Sequence, residues 1–330
     1  MIIGFPSYAA ATAGSERIVA TYLITGGCGF IGSHLADALI AAGHRVRILD
    51  DLSTGRLENA PREAELLIDD VSRPGAVLSA MSDVDGCFHL AAIASVVRST
   101  EDWTGAHRIN LGGTIAVFDA ARKARATQTI PVVYASSAAI YGDNPDLPLN
   151  ESAAPRPLSA YGADKLGCEL HAAVAGRVHQ VPVLGLRFFN IYGPRQDPAS
   201  PYSGVISIFA GKLARGEPPL IYGDGGQTRD FVYVADTVRH LIAGMAHAAT
   251  AAPVYNVCTG RAISVLSLAK TMAGVLGLPE KFRFEPERQG DIRASLGDPR
   301  RAIAGLGVVA DTPLAIGLGQ TISAAPSAAA

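Results

Sequence analysis

Apolar and polar positions alternate in two ways along the chain from Thr21 onward. Short β-prone runs, bounded by glycine, proline or polar residues, alternate with longer stretches of helical periodicity. Gly43 follows the first helical stretch, where a glycine commonly ends a helix. The pattern predicts strands at residues 22–25, 45–49, 86–90, 131–135 and 183–189, and helices at 31–42, 234–248 and 264–276.

Strands that alternate with helices favour a parallel sheet covered on both faces. The predicted fold class is therefore α/β, a Rossmann-type doubly wound parallel sheet, whose ligands bind at the carboxyl ends of the strands. Residues 190–227 are rich in Pro, Gly and Tyr, which predicts a smaller C-terminal α/β domain. We place the larger domain at 19–189 with a return segment at 228–257, the smaller at 190–311, a flexible extension at 1–18 and a flexible tail at 312–330.

Three glycines, Gly26, Gly29 and Gly32, stand between the first predicted strand and the first helix. A glycine-rich turn of this kind lets the backbone approach a pyrophosphate at the helix N-terminus. Asp50 ends the second predicted strand, eighteen residues after Gly32. A carboxylate there can accept hydrogen bonds from a ribose diol and repels a 2′-phosphate, although a turn residue is the alternative for Asp50. The two signals predict a dinucleotide site that prefers NAD to NADP.

Tyr161 and Lys165 lie four residues apart in a segment of helical pattern, so their side chains share one face. A tyrosine with its ordinary pKa of about 10 is a poor base at neutral pH, and a nearby cation favours the phenolate. Ser136 and Ser137 end a predicted strand, where substrates bind in such folds. The pattern predicts Tyr161 as a general base assisted by Lys165, with one of the two serines holding the reacting alcohol.

The composition narrows the classes of partner. The 330 residues are 48% hydrophobic and 18% charged, which suits a globular protein with a substantial core. The net charge of −2 includes no basic block, which argues against nucleic acid or a membrane surface as partner. The first twenty residues lack the pattern of a signal peptide. No apolar run approaches the roughly 18 residues of a membrane span.

Cysteines and arginines carry the remaining chemistry. The four cysteines, at positions 28, 87, 168 and 258, have no metal-like spacing, which predicts buried thiols in a reduced, cytoplasmic protein without a metal site.

With so little net charge, an anionic substrate needs particular arginines. Guanidinium forks match phosphate oxygens, so we assign Arg229 and Arg288 to a substrate pyrophosphate, with Arg195 and Arg293 as second candidates.

From Tyr22 to about Asp298 the chain resembles the extended short-chain dehydrogenases, and within them the sugar-nucleotide epimerase/dehydratase branch. The resemblance rests on the G-x-x-G-x-x-G spacing and on DDLSTG at 50–55, HLAA at 89–92, ASSAAIYGD at 135–143, YGADK at 161–165, LRFFNIYGPRQ at 186–196, GDGGQTRDF at 223–231 and RQGDIRASLGD at 288–298. It implies an NAD-binding domain followed by a nucleotide-sugar domain, usually assembled as a homodimer through helices.

The resemblance also implies individual site residues. It selects Ser137 over Ser136 as the third catalytic residue beside Tyr161 and Lys165. The residues that it places at NAD are Gly26, Gly29, Phe30, Ile31, Gly32, Asp50, Asp51, Leu52, Ser53, Thr54, Gly55, Asp70, Val71, Leu90, Ala91, Ala92, Asn110, Tyr161, Lys165 and Phe189. Those that it places at a UDP-sugar are Ser137, Asn190, Arg229, Arg288, Asp291 and Ser295.

The function that the resemblance implies is 4-epimerisation of a UDP-hexose through a transient 4-keto intermediate. Dehydratases and decarboxylases of the family typically carry an acidic residue just after the catalytic serine or threonine, where this chain has Ala138 and Ala139. A 4,6-dehydratase or a dehydrogenase is the alternative enzyme. A regulator that senses NAD without catalysis is the alternative outside enzymes, and the intact Ser137, Tyr161 and Lys165 argue against it.

Overall fold

A central sheet of seven parallel strands dominates the computed structural model, which describes residues 19–126, 128–196, 204–288 and 290–324. The strands are β1 (Thr21–Thr25), β2 (Arg45–Asp50), β3 (Glu65–Ile68), β4 (Gly86–His89), β5 (Val132–Ser137), β6 (Val183–Phe188) and β11 (Val254–Val257). Strands are numbered in chain order, and β7 to β10 belong to the smaller part described below. Their order across the sheet is β11-β6-β5-β4-β1-β2-β3. The order reverses between β1 and β4, which makes a crevice at their carboxyl ends, where ligands bind in such sheets.

The helices of the described residues either cover the two faces of the sheet or belong to the smaller C-terminal part. They are α1 (Phe30–Ala41), α2 (Pro74–Ala80), α3 (Val96–Glu101), α4 (Trp103–His107), α5 (Gly113–Lys123), α6 (Ala160–His179), α7 (Val205–Ala214), α8 (Val234–Ala246), α9 (Val265–Val275), α10 (Arg300–Leu306) and α11 (Leu314–Ser323). One apolar core joins the sheet to α1 and α8, and a second joins the opposite face to α2, α5 and α6. The doubly wound fold predicted from the sequence is confirmed.

The smaller C-terminal part consists of short strand pairs packed against α7, α9 and α11. The strands are β7 (Asn190–Tyr192), β8 (Leu220–Tyr222), β9 (Thr228–Arg229), β10 (Phe231–Tyr233), β12 (Ile263–Ser264) and β13 (Arg283–Glu285). Within the described residues they pair as β7 with β10, β8 with β13 and β9 with β12. A third apolar core lies here and includes Phe209, Ile221 and Leu268.

The structure corrects two expectations about the C-terminal region. Residues 314–323, which we expected in a flexible tail, form α11; its Leu318 is fully buried, and Gly317 lies so close to Tyr192 that a Cβ there would be 2.3 Å from the tyrosine oxygen. Residues 300–310, expected in the smaller domain, pack instead against the core of α1 and α8 through Ala302 and Leu306. Residues 1–18 and 325–330 lie outside the described part of the chain.

Candidate active site

The glycine turn after β1 is built by contacts that only glycine permits. Gly26 has a φ of +73°, and a Cβ on it would lie 2.7 Å from the backbone nitrogen of Ala91. A Cβ on Gly32 would lie 2.2 Å from the carbonyl oxygen of Gly26. Gly29 begins α1 without a side-chain cap, so the N–H groups of the first helical turn, at Phe30 and Ile31, remain available. This cradle fits the pyrophosphate of a dinucleotide.

Asp50 stands at the end of β2, beside the glycine turn. Its two carboxylate oxygens each accept one backbone N–H, from Cys28 and from Leu52, both at 2.9 Å. Burial raises the pKa of Asp50, and these two hydrogen bonds oppose the rise. Each oxygen keeps a lone pair for a ribose hydroxyl. A Cβ on Gly55 would lie 2.8 Å from Asp50 Oδ1, so that glycine lets the loop close over the carboxylate.

The rest of the 50–55 segment forms the rim of this pocket. Asp51 is exposed and accepts hydrogen bonds from the backbone and the hydroxyl of Ser53, at 2.9 and 2.6 Å. Leu52 adopts a φ of +57°, and Thr54 is exposed. Of this segment, the backbone N–H of Leu52 and the glycine at position 55 contact Asp50.

A buried histidine that the sequence analysis did not single out organises the loop after β4. His89 is bonded through Nδ1 to the Thr25 hydroxyl at 2.7 Å and through Nε2 to the Thr114 hydroxyl at 2.9 Å. Burial, assisted by the charge of Lys165, lowers the pKa of His89 to about 3, so the imidazole is neutral. The same Thr25 accepts the backbone N–H groups of Leu90 and Ala91 through its carbonyl and hydroxyl oxygens.

Asn110 holds the next part of that loop. It lies fully buried in a π-helical turn at Arg108–Gly112. Its side-chain oxygen accepts the backbone N–H of Ile93 at 2.8 Å, and its amide group donates to the carbonyl of Ile93 at 3.3 Å. The hydrogen-bond partner of this buried side-chain amide is therefore the backbone of Ile93. These two hydrogen bonds fix the segment that contains Ala92.

Two further predicted cofactor residues follow β3. Asp70 accepts hydrogen bonds from the backbone of Ser72 and from Arg108, both at 2.8 Å. Burial alone would raise the pKa of Asp70, but these hydrogen bonds and the Arg108 charge lower it. Val71 is buried, and a Cβ on Gly113 would be 2.9 Å from it. Both residues lie where the structure ties β3 to α5.

Tyr161 and Lys165 lie in the first turns of α6, as the helical pattern predicts. Ser159 caps the helix by accepting the backbone N–H of Gly162 at 3.1 Å. Lys165 is 3% exposed, its Nζ donates to the carbonyl of Ala135 at 2.8 Å, and it lies 5.8 Å from the centre of the Tyr161 ring. The structure therefore brings the phenol and a buried ammonium together at the end of β5.

The structure distinguishes the two serines. Ser136 donates its hydroxyl to Glu169 at 2.6 Å, away from the turn that follows β5. Ser137 accepts the backbone N–H of Ala139 at 3.1 Å and caps a single 3₁₀ turn. A Cβ on Gly162 would lie 2.6 Å from the carbonyl oxygen of Ala139, so this turn touches the first turn of α6 beside Tyr161. The hydroxyl of Ser136 therefore donates to Glu169, whereas that of Ser137 accepts a backbone N–H in the turn next to Tyr161.

Phe189 and Asn190 continue from β6 towards the smaller part. Phe189 is 6% exposed, and its ring centre lies 6.3 Å from that of Tyr141. Asn190 is exposed, and its backbone N–H donates to the carbonyl of Asp230 at 3.0 Å. Asn190 therefore presents its side chain at the junction of the two parts.

The predicted nucleotide-sugar residues form two clusters. Arg229 pairs with Asp291 at 2.5 Å and donates to the carbonyl of Ile292 at 2.6 Å. Arg288 is exposed, and its guanidinium lies 3.8 Å from the centre of the Tyr222 ring. Arg229 and Asp291, predicted separately, are thus brought together.

Ser295 is joined to the Arg229 cluster through the backbone. Its N–H donates to the carbonyl of Thr228 at 3.1 Å, and Thr228 in turn donates to the carbonyl of Arg293 at 2.9 Å. The strand-like segment 293–295 therefore runs beside β9, and Ser295 is partly buried next to the residue before Arg229.

The two second-choice arginines have other partners. Arg195, at a φ of +66°, pairs with Asp37 of α1 at 2.7 Å. Arg293 binds Asp224 through two hydrogen bonds, at 2.7 and 2.9 Å, and this contact lowers the pKa of Asp224. Neither guanidinium joins the Arg229 cluster.

Asp230 is a buried residue that the sequence analysis missed. Its carboxylate accepts the backbone N–H groups of Thr259 and Gly260, at 2.8 and 2.9 Å, and the hydroxyl of Thr259 at 2.7 Å. It also accepts the N–H of Gly297 at 3.4 Å. A carboxylate next to a candidate phosphate-binding arginine was a signal, but its partners lie about thirty or more residues away in sequence.

The four cysteines are buried and free. In the described ranges, no group of three or more His, Cys, Asp or Glu side chains is arranged to hold a metal ion. None of the described helices is both long and apolar enough to cross a membrane.

Comparisons with known proteins agree with this geometry. The UDP-glucose 4-epimerase of Mycolicibacterium smegmatis is 36% identical over 307 residues, which cover 91% of this chain and 96% of that protein. The structure of a UDP-glucose 4-epimerase from Thermotoga maritima with UDP-glucose superposes with a TM-score of 0.87 at 33% identity, covering 92% of this chain and 98% of the other. A UDP-N-acetylglucosamine 4-epimerase from Methanobrevibacter ruminantium, in complex with UDP-N-acetylmuramic acid, gives a TM-score of 0.87 at 34% identity over 93% and 98%.

The family is shown by a match over most of the chain. Residues 22–258 match the family described as NAD dependent epimerase/dehydratase. The match begins in β1, contains the glycine turn, Asp50, Ser137, Tyr161 and Lys165, and ends just after β11. The chain therefore belongs to the NAD-dependent epimerase/dehydratase family.

Proposed function

We propose that this protein is an NAD-dependent sugar-nucleotide 4-epimerase. It interconverts UDP-hexoses, UDP-glucose with UDP-galactose and their N-acetyl forms with each other, through a transient 4-keto intermediate. The observation that carries the proposal is the buried Lys165 ammonium at 5.8 Å from the Tyr161 ring, beside the Ser137 turn. That is the arrangement needed to remove a proton from a sugar hydroxyl.

The cofactor site is the glycine cradle and its surroundings. The α1 N-terminus after Gly29 binds the pyrophosphate, and Asp50 binds the ribose hydroxyls and disfavours NADP. When bound, NAD supplies a reversible acceptor for the hydride on the sugar carbon C4. The remaining contacts in this proposal come from the segments around Asp51, Asp70, Leu90 and Asn110, whose backbone the structure holds in place.

The chain's own chemistry is a proton transfer. Ser137 holds the C4 hydroxyl, and Tyr161 accepts its proton because the Lys165 ammonium favours the phenolate. After the ketone has turned in the pocket, Tyr161 returns the proton to the oxygen. The reaction involves no net redox change, so the cofactor remains bound.

The diphosphate is assigned to the smaller part of the protein. Arg229 and Arg288 bind its oxygens, because two guanidinium groups offer paired donors to phosphate. Asp291, already paired with Arg229, accepts a hydroxyl of the nucleoside ribose. Asn190, at the junction of the two parts, faces the linkage between diphosphate and sugar.

Ser295 is assigned to the wall of the sugar pocket. In the family a tyrosine at this position leaves room only for a plain hexose, whereas a serine is far smaller. The backbone bond between Ser295 and Thr228 fixes this wall next to Arg229. An N-acetyl group at C2 therefore fits.

A 4,6-dehydratase is the less favoured reading. It needs an acidic residue just after the catalytic serine, where the 3₁₀ turn carries Ala138 and Ala139. The buried carboxylate near this strand end, Glu169, is bound to Ser136 and Arg187. A regulator without catalysis has no need of a buried Lys165 beside Tyr161.

We also propose a cytoplasmic homodimer that forms through α5 and α6. The two helices pack side by side and present exposed apolar side chains, Ile115 on α5 and Leu170, Val174 and Val178 on α6. Positions 170, 174 and 178 repeat every four residues, so they form one stripe. A second copy of this stripe covers it in a two-fold interface.

The function is tested with purified protein and a panel of UDP-sugars. Proton NMR should show conversion at C4 for both plain and N-acetylated hexoses, without net absorbance change at the NADH wavelength and without added NAD. Formation of a 4-keto-6-deoxy product would identify a dehydratase instead. Stoichiometric NADH production would identify a dehydrogenase.

A further inference from the structure

The face of α6 that carries Tyr161 and Lys165 also carries a carboxylate, that of Glu169. Tyr161, Lys165 and Glu169 follow each other at intervals of four, so their side chains lie along one face of the helix. A lysine and a glutamate at this spacing normally attract each other. An ion pair between Lys165 and Glu169 would draw the ammonium away from Tyr161, towards the middle of the helix.

The structure shows a different pairing. Arg187 of β6 binds both oxygens of Glu169, through Nε at 2.8 Å and through Nη2 at 2.7 Å. Ser136 donates a further hydrogen bond to the same carboxylate at 2.6 Å. The side chains of Arg187 and Glu169 are 8% and 9% exposed, so water contributes little to either charge.

Arg187 is itself fixed on its other side. Its Nη1 donates to the Tyr141 hydroxyl at 2.7 Å and to the Glu151 carbonyl at 3.2 Å. Tyr141 then donates to Asn256 of β11 at 2.7 Å. The guanidinium therefore cannot swing away from Glu169 without breaking a network that joins three strands.

Because Arg187 and Ser136 bind Glu169, Lys165 hydrogen-bonds instead to the backbone of strand β5. Its Nζ donates to the carbonyl of Ala135, one residue before Ser136. Three successive residues of β5 therefore have different roles: Ala135 binds Lys165, Ser136 binds Glu169, and Ser137 ends the strand.

We propose that Arg187 is a positioning residue that withholds Glu169 from Lys165, which leaves the ammonium at Ala135 and beside Tyr161. The consequence for turnover rests on the function proposed above; the placement of Lys165 does not. A buried carboxylate that loses its cation needs another one. Lys165, one helical turn away on the same face, is the cation within reach.

Kinetics of single and double variants distinguish a loss of the Arg187–Glu169 ion pair from a displacement of Lys165. Arg187→Met should lower kcat about 10²-fold, the usual worth of general-base help, with little change in KM. The double variant Arg187→Met, Glu169→Gln removes the competing anion and should recover most of that loss. A merely structural role predicts the opposite, because the double variant removes more contacts than the single one.

Two controls keep the result interpretable. Arg47→Met removes another partly buried arginine, which pairs with Glu65 at 2.6 Å far from the catalytic helix, and should leave kcat unchanged. If Arg187→Met does not fold, Arg187→Lys replaces it. A lysine cannot form the two parallel hydrogen bonds of the guanidinium fork to Glu169, so an intermediate loss of kcat is expected, again recovered by Glu169→Gln.

A crystal structure of Arg187→Met gives the readout that does not depend on activity. We expect Lys165 Nζ to leave Ala135 and to lie within ion-pair distance of Glu169. A lysine that stays on Ala135, or a double variant no more active than the single one, overturns the proposal. If the wild type epimerises no sugar nucleotide, the proposed function fails, and the position of Lys165 in this crystal structure still decides the inference.

Discussion

Lys165 Nζ donates a hydrogen bond to the carbonyl oxygen of Ala135 at 2.8 Å, near the carboxyl end of strand β5. This bond fixes the ammonium below the Tyr161 ring while the lysine is almost fully buried. A phenol next to a fixed cation is suited to accept and return a proton.

Replacing Tyr161 with phenylalanine should remove the general base and leave the fold intact. We expect turnover to fall about 10²-fold or more, while NAD remains bound. NMR rates and the NAD content of the purified protein check both parts. Tyr255→Phe, which removes a hydroxyl on β11, is the matched control. Near-normal turnover in Tyr161→Phe would show that another group is the base.

Asp50 should decide between NAD and NADP. In the proposed site its carboxylate binds the ribose hydroxyls and repels a 2′-phosphate, so Asp50→Ser should relax the preference for NAD. Titration of both cofactors into cofactor-free protein measures the change. Asp83→Ser removes the same charge from an exposed site and should not alter the ratio. Tighter binding of NADP than NAD by the wild type contradicts this role of Asp50.

Ser295→Tyr should separate the two classes of sugar. The larger side chain fills the space of the N-acetyl group, so activity on N-acetylated UDP-hexoses is lost while UDP-glucose and UDP-galactose remain substrates. Rates on all four substrates check this, with Ser295→Ala as a control that keeps the space. Equal loss on both classes, or a wild type that does not turn over N-acetylated sugars, refutes the pocket.

His89 should make the protein less stable in acid. Its pKa is about 3 in the folded protein against an ordinary 6.5, because burial and the Lys165 charge disfavour the imidazolium. Below pH 6.5 the unfolded chain binds a proton that the folded protein does not, so stability falls with decreasing pH until about pH 3.

The His89 contribution is measured as a difference between proteins. Between pH 7 and pH 5, urea unfolding of the wild type should lose about 2 kcal/mol more than that of His89→Leu. His247→Gln, at an exposed histidine, should follow the wild type. Parallel pH profiles for wild type and His89→Leu would mean that His89 takes up its proton in the folded protein as readily as in the unfolded chain.

A charge in the α6 stripe should break the proposed dimer. Val174→Asp places a carboxylate in the middle of the apolar surface of Ile115, Leu170 and Val178, and should convert the dimer into monomer. Light scattering coupled to size exclusion measures the mass. Ile303→Asp, at another exposed apolar position, is the control. A wild type that is monomeric at micromolar concentration rules the interface out.

The parts of the site that follow from local backbone rules were predictable from the sequence. Gly26 is required by its positive φ and Gly32 by a contact within the same turn, and Tyr161 and Lys165 share a face through helical spacing alone. Asp50 was predictable because it ends a strand at a fixed distance from the glycines.

Residues whose role depends on distant partners were not predictable. His89 acts through Thr25 and Thr114, and Arg187 reaches back to Glu169 and Tyr141. Such contacts exist only once strands far apart in sequence are neighbours. The helix α11 was missed for a related reason, because its ten residues include two glycines and are weakly helical until Tyr192 and Tyr233 pack against them.

Strand β11 has a consequence for dissecting the protein. It supplies the outer neighbour of β6, although about 65 residues, which include strands of the smaller part and helix α8, separate the two in the chain. A fragment ending at residue 189 would leave the backbone of β6 unpaired along a hydrophobic edge and would lack α8 over one face of the sheet. Open edges of this kind recruit other chains. The sheet that carries the glycine turn is therefore not autonomous: expressed alone it should aggregate, because α8 and β11, which complete it, follow strands β7 to β10 in the chain.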